Sequence, residues 1–285
     1  MLVWRSVSIV ICGLIAIACC AAANPQIQIE RPILSQYDDG PSVPANYEFL
    51  PGDTIFFSCR LLGYQVRETD DTRKVQLHYR IDVRDPFGVP LAEPKAGVIS
   101  TQLSPEDKHW APKVRDTIII PAFAPAGNYR ISIEAVDDLD NSRSSLDTTF
   151  RVGGHAIRAN GALTIQNFRF LRREDDRQPL QIPAYGPGDT LWARFDITGF
   201  KLGEKNRLDV DYGLSVLRPT GEVVYSQPVA ATEKTESFYP QRWVPGVLSL
   251  NLGKDLKPAH YTLVLTAHDR VGEQTCEIRE IFDVE

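Results

Sequence analysis

Histidine is sparse and scattered in this chain: five residues in 285, His78, His109, His155, His260 and His268, none in a His-x-x-x-His or His-Glu-x-x-His arrangement. A zinc site borne on one helix therefore has no support. No Gly-x-Ser-x-Gly elbow is present to mark a nucleophile. A Ser-His-Asp triad gathered from distant residues stays open, because its members need not be close in sequence. No stretch keeps a 3.6-residue apolar period over three turns, which argues against a helical protein. Basic excess is missing too: 31 Lys and Arg face 37 Asp and Glu, a net charge of −6. A chain with that balance is not built to coat nucleic acid or an anionic membrane, where a basic patch would be expected. Cysteine is rare, and three of the five, Cys12, Cys19 and Cys20, fall in the first 23 residues.

Those residues have a layout of their own. Arg5 precedes a mostly apolar run from Val7 to Cys20, and Ala21-Ala22-Ala23 follows before Asn24. A positive start, an apolar middle and a small-residue exit read as a secretory signal peptide cleaved after Ala23. The run is shorter than the roughly 20 apolar residues that span a bilayer, which disfavours an anchor. Lipidation at Cys19 or Cys20 is a further alternative, although Ala16-Ile17-Ala18 lacks the usual leucine. Cleavage leaves 262 residues with a net charge of −7, since only Arg5 is lost. That length suits two modules, each able to bury its own core without disulfides.

Pro-Gly-Asp-Thr occurs at Pro51–Thr54 and again at Pro187–Thr190. Eleven residues after the motif glycine comes a glycine–aromatic pair, Gly63-Tyr64 or Gly199-Phe200. The correspondence runs on. Asp38-Asp39 matches Asp175-Asp176 at an offset of 137, Gly52 matches Gly188 at 136, and Tyr79 matches Tyr212 at 133. Trp110 and Pro112 match Trp243 and Pro245 at 133, while Tyr129, Asp137 and Phe150 match Tyr261, Asp269 and Phe282 at 132. An offset that only falls is the mark of a duplication with small loop deletions. The expected division is a signal peptide over 1–23, a first module over 24–152, a linker over 153–162 and a second module over 163–285.

Each copy is written in period 2. Val75, Leu77, Tyr79, Ile81 and Val83 alternate with polar residues, as do Leu208, Val210, Tyr212, Leu214 and Val216. Turn residues separate the runs at Asp85-Pro86-Phe87-Gly88, Arg218-Pro219-Thr220-Gly221 and Asp137–Asn141. The pattern predicts an all-β chain of two tandem antiparallel β-sandwiches. Tyr129 and Tyr261 each stand after a turn at the start of a core strand, the place of the immunoglobulin-type tyrosine corner. Alternation puts Cys59 on the face of Ile55, Phe57 and Leu61, and Cys276 on that of Ile278, Phe282 and Val284. Thiols in two different cores cannot meet the Cα separation of about 7 Å that a disulfide needs, so both are expected free.

With Tyr47-x-x-Leu50-Pro51-Gly52-Asp53-Thr54, Asp85-Pro86-x-Gly88 and Gly127-Asn128-Tyr129, repeated in the second copy, the chain resembles bacterial immunoglobulin-like and macroglobulin-type β-sandwich modules. The resemblance implies a role in adhesion, spacing or protein binding. It departs from the macroglobulins at one point: Val271-Gly272-Glu273-Gln274 has Val in the place of the thioester cysteine, so the segment reads as a polar turn.

Two stretches are candidates for a site. Asp137–Ser142 clusters oxygens of the kind calcium takes, but lacks the loop length and closing Glu of the helix–loop–helix site. Phe238, Tyr239, Arg242 and Trp243 are residue types that anchor binding patches, and flat aromatics also stack on sugars. The function expected from sequence is therefore non-enzymatic, with no catalytic, metal or cofactor assignment. The chain is read as an exported binding or scaffold protein of the cell envelope or exterior. Its partner is then another envelope or extracellular protein, with no nucleic acid and with membrane contact only through a lipidated or retained N-terminus. The alternative is a carbohydrate-binding accessory that uses the four residues just named, which makes glycan the second partner class.

Overall fold

The computed structural model describes residues 26–69, 72–104, 106–107, 109–154 and 161–285. The signal-peptide reading and most of the linker, residues 155–160 with His155, lie outside them. The first copy is built from β1 (Gln28–Ser35), β2 (Glu48–Phe49), β3 (Thr54–Leu62), β4 (Arg67–Thr69), β5 (Thr72–Arg84), β6 (Lys95–Leu103), β7 (Lys113–Ile119), β8 (Gly127–Asp137) and β9 (Arg143–Val152). The second is built from β10 (Thr164–Leu171), β11 (Ala184–Tyr185), β12 (Thr190–Thr198), β13 (Leu208–Leu217), β14 (Val223–Thr235), β15 (Trp243–Asn251), β16 (Ala259–Asp269) and β17 (Gln274–Val284). A single 3-10 turn, Glu204–Asn206, is the only helical element among the described residues.

The two copies share one wiring. A small sheet, β1-β3-β7, becomes β10-β12-β15; a large sheet, β2-β9-β8-β5 with β6 and β4, becomes β11-β17-β16-β13-β14. Pairing is antiparallel throughout except for the two-residue strands β2 and β11, which run parallel to β9 and β17. Even the irregularities recur: the first strand of each small sheet slips register at a residue with φ of 52°, Arg31 in one copy and Asn167 in the other. The chain is therefore an all-β protein of two tandem antiparallel sandwiches.

The repeated motifs explain themselves in the backbone. In Pro-Gly-Asp-Thr the proline presets the first turn position and the glycine takes φ of 92° or 90°, where a side chain would be strained. The aspartate closes the turn by accepting the amide of Leu50 at 2.8 Å, or of Gly186 at 2.7 Å. Its own carbonyl then receives the amide of Ile120 or Leu252, both at 2.9 Å, tying the turn to the facing strand. The tyrosine corners form as well. Tyr129 donates to the Pro125 carbonyl at 2.8 Å and Tyr261 to the Lys257 carbonyl at 2.9 Å. Each ring stacks on the phenylalanine of the last strand, Phe150 or Phe282, with centroids 5.3 and 5.7 Å apart.

Period-2 alternation delivers the cores. Ile55, Phe57, Cys59 and Leu61 of β3 meet Leu77, Ile81 and Ile133 across the first sandwich; Leu191, Ala193, Phe195 and Ile197 of β12 do the same in the second against Leu208, Val210 and Leu265. Cys59 is buried and Cys276 half-buried, and both are free thiols.

Strand register corrects one equivalence. Cys59 faces Val114, whereas its counterpart Phe195 faces Gly246; Arg60 faces Lys113, whereas Asp196 faces Pro245. The offset has already fallen to 132 on these strands, so Trp243 stands where the first copy has Ala111, and Trp110 is not its counterpart. A one-residue slip exchanges the faces of a strand. Pro112 is accordingly buried and Pro245 exposed. The two tryptophans do different jobs: Trp110 packs edge-on against Tyr64 within its own module, while Trp243 packs edge-on against Phe123 of the other.

Candidate functional site

The residues singled out by composition meet the first sandwich. They sit in and after the loop between β14 and β15, and that loop is held from behind by the 3-10 turn. Asn206, itself at φ of 52°, donates its side-chain amide to the carbonyls of Ser237 and Phe238 at 3.1 and 2.6 Å. The Ser237 hydroxyl donates to the Tyr239 carbonyl at 2.6 Å. Thus braced, the loop projects Tyr239 out of the second sandwich and into the hydrophobic core of the first, where only 8% of it stays exposed. Burying a ring of that size contributes about 2 kcal/mol.

What Tyr239 meets there is a carboxylate. Asp85, with a side chain 0% exposed, begins the Asp-Pro-Phe-Gly turn after β5. Its Oδ1 accepts the amides of Phe87 and Val89, both at 2.8 Å, which shapes the turn. Its Oδ2 accepts the Tyr239 hydroxyl at 2.8 Å and the Arg242 guanidinium at 2.7 Å. Arg242 also donates to the Tyr239 hydroxyl at 3.2 Å and lies over the Phe87 ring, 4.6 Å from its centroid. A buried charge is tolerable only when it is paired and hydrogen-bonded. Asp85 satisfies both conditions, with two donors from each sandwich. Burial holds the Tyr239 hydroxyl well above the ordinary phenol range, with the hydrogen bond to Asp85 acting in the same direction. Burial pushes the neighbouring Tyr129 up to about 12, while the Tyr239 hydroxyl against it works the other way.

The four candidate residues therefore divide. Tyr239 and Arg242 face Asp85, Trp243 packs on Phe123, and Phe238 alone keeps half its surface, 54%, in solvent. Asp85 was missed from sequence, where it read only as a turn residue. A signal did exist: the second copy has Arg218 at that place, and Arg218 merely pairs with exposed Glu222 at 2.6 Å. The copies differ where one of them is fastened to the other.

The remaining polar candidates close on themselves. Asp137 accepts the amides of Gln65 at 2.5 Å and Leu139 at 2.9 Å; its counterpart Asp269 accepts those of Lys201, Val271 and Gly272. Asp140 accepts the Ser142 amide at 2.8 Å. These carboxylates shape hairpin turns, and among the described residues no group of three or more His, Cys, Asp or Glu is placed to hold a metal ion. Val271-Gly272-Glu273 is such a turn, between β16 and β17. The strand histidines lie on the outer faces, each paired with a carboxylate. His78 pairs with Asp138 at 2.6 Å, and His268 pairs with Asp211 at 2.9 Å. Asp211 also takes Arg270 at 2.5 Å, at the positions where the first copy has His78 and Asp138. The same cross-strand pair is thus kept with its polarity reversed.

No protein-family model matches the chain, and no curated protein matches it. The likeness to bacterial immunoglobulin-like and macroglobulin-type modules accordingly rests on the turn and corner residues described above.

Proposed function

We propose that the chain is a non-enzymatic exported protein whose two sandwiches act as a single preset binding or scaffold element, at the cell envelope or outside the cell. The observation that supports this reading is the Asp85–Tyr239–Arg242 node. A flexible tandem presents two surfaces at variable spacing, and ordering them on a partner costs affinity. A chain that buries a charged and aromatic node between its modules has met that cost beforehand. The partner proposed is another envelope or extracellular protein. The saccharide reading of the β14–β15 loop is less well supported, because Tyr239 and Arg242 would have to leave Asp85 to meet a sugar.

The test is cross-linked capture from envelope extract with the tagged chain lacking residues 1–23, beside an Asp85→Ala variant whose two sandwiches are shown to be folded. One protein recovered in near-equal amount by the parent chain, and reduced with the variant, is the expected result. Glycan recovered without protein would overturn it in favour of the saccharide reading. A protein recovered equally by both chains would separate partner binding from the node.

A further inference from the structure

The outer faces of the two small sheets offer a comparison internal to the molecule. In the first sandwich, β7 presents Lys113 and Arg115, and the Asp38-Asp39 turn neutralises both. Arg115 reaches Asp39 at 2.9 Å and Asp38 at 3.6 Å, and Lys113 bonds Asp39. In the second sandwich the matching Asp175-Asp176 turn folds back on its own Arg173, at 3.8 and 3.6 Å. It leaves the sheet face to two other arginines. Arg169 of β10 and Arg194 of β12 are direct cross-strand partners on that face. Like charges directly opposite each other repel. Among the described residues neither has a carboxylate partner: Arg169 makes no ion pair, and Arg194 donates one guanidinium nitrogen to the Glu174 carbonyl while its buried Nε has no hydrogen-bond partner.

The pair opens on a cleft of about 410 Å3, within the range of small-molecule sites. One wall is apolar, from Trp243 and Val247 of β15. Another is polar, from Asp196 of β12 and from Asn167, whose side-chain amide donates to Asp196 at 2.7 Å. Asn167 lies within the register slip of β10 and lines the hollow. We infer that this cleft binds an acidic saccharide, a sugar ring bearing a carboxylate. The two guanidiniums would take the carboxylate by charge-assisted hydrogen bonds, the apolar wall would cover the ring, and Asn167, held by Asp196, would meet a hydroxyl. The site is separate from the Asp85 node, so its failure would leave the scaffold reading standing.

The experiment is calorimetric titration of the chain lacking residues 1–23 with trigalacturonate, with neutral galactotriose and inorganic phosphate as comparison probes. Arg169 is exposed, so Arg169→Gln tests the pair without disturbing the fold, and its thermal midpoint is read as a control; Arg194→Gln is run beside it. The expected result is binding of the acidic trimer in preference to both other probes, weakened at least about tenfold by Arg169→Gln. No binding of trigalacturonate by the parent chain would overturn the inference. So would affinity unchanged in both variants, or phosphate bound as tightly as the acidic trimer, which would make the cleft a bare anion site.

Discussion

The Tyr239 hydroxyl donates to Asp85 across 154 residues of chain at 2.8 Å, and no other pair of residues says more about how the two sandwiches are joined. The carboxylate is wholly buried, shaping its own turn with one oxygen and receiving the second sandwich with the other. Asp85→Ala should leave Arg242 uncompensated and two turn amides without their acceptor. Breaking a buried pair from one side costs about 3–5 kcal/mol. Tyr239→Phe removes one hydrogen bond to a charged group and should cost about 1.5–3 kcal/mol. Urea unfolding measures both, and the Asp85→Ala/Tyr239→Phe double variant should cost less than the two single changes added together, since the residues share one node. Additive costs would mean the two side chains act independently.

The tyrosine corners give a matched comparison. Tyr261→Phe removes a hydrogen bond to the Lys257 carbonyl and should cost about 1 kcal/mol. Tyr129→Phe removes the same bond to Pro125, and in addition disturbs the hydroxyl that sits against Tyr239. It should therefore be the costlier change, and small-angle scattering should show a wider spread of particle dimensions for it alone. Equal costs and equal scattering would separate Tyr129 from the node.

Most of the fold was legible because it is local. Alternation of period 2, the Pro-Gly-Asp-Thr turn and the tyrosine after a tight turn each declare themselves within a few residues, and the duplication declares them twice. The node was not legible in that way. Tyr239 and Arg242 were visible as binding-type residues, but their partner lies in another module, and nothing in the spacing of either segment points to it. The copy-to-copy difference at Asp85 and Arg218 was the trace available. Trp243 shows the opposite hazard. A common offset made it the twin of Trp110, and a single-residue slip in register, invisible to an alignment of aromatics, put it on the other face of its strand.

Two glycines separate backbone strain from crowding. At Gly52, φ is 92° and a Cβ would meet nothing within 4 Å, so Gly52→Ala should cost about 1–2 kcal/mol through conformation alone. Asn tolerates positive φ better than Ala, so Gly52→Asn should cost less. At Gly246 the backbone is ordinary, but a Cβ would stand 2.1 Å from the Phe195 ring. Phe195 is itself enclosed by Phe168 and Tyr212, leaving it no way to yield freely. Gly246→Ala should cost about 1–3 kcal/mol by overpacking, and Gly246→Asn more still. Denaturation midpoints of the four variants check the crossing order, and a Gly52→Asn variant weaker than Gly52→Ala would contradict the turn geometry.

Burial of ionisable groups sets an alkaline limit. It pushes the Cys59 thiol from 9.0 up to about 12, and Tyr129 and Tyr185 from 10.0 up to about 12. In the unfolded chain these groups release their protons from about pH 9 or 10; in the folded chain they hold them until about pH 12. The folded state thus binds more protons than the unfolded state between those limits, so stability is intact below pH 9 and falls as pH rises through 9 to 12. Urea midpoints should be flat from pH 7 to 8.5 and decline steadily above 9. The thiol gives an independent readout, because the thiolate is the reactive species. At pH 8 native Cys59 should be silent to a thiol-specific disulfide reagent and react promptly once urea unfolds the chain. Cys276, half-buried and raised by burial to a lesser degree, should react slowly in the native state. Prompt labelling of Cys59 in the folded protein would place it outside the core and contradict the β3 register that positions it there.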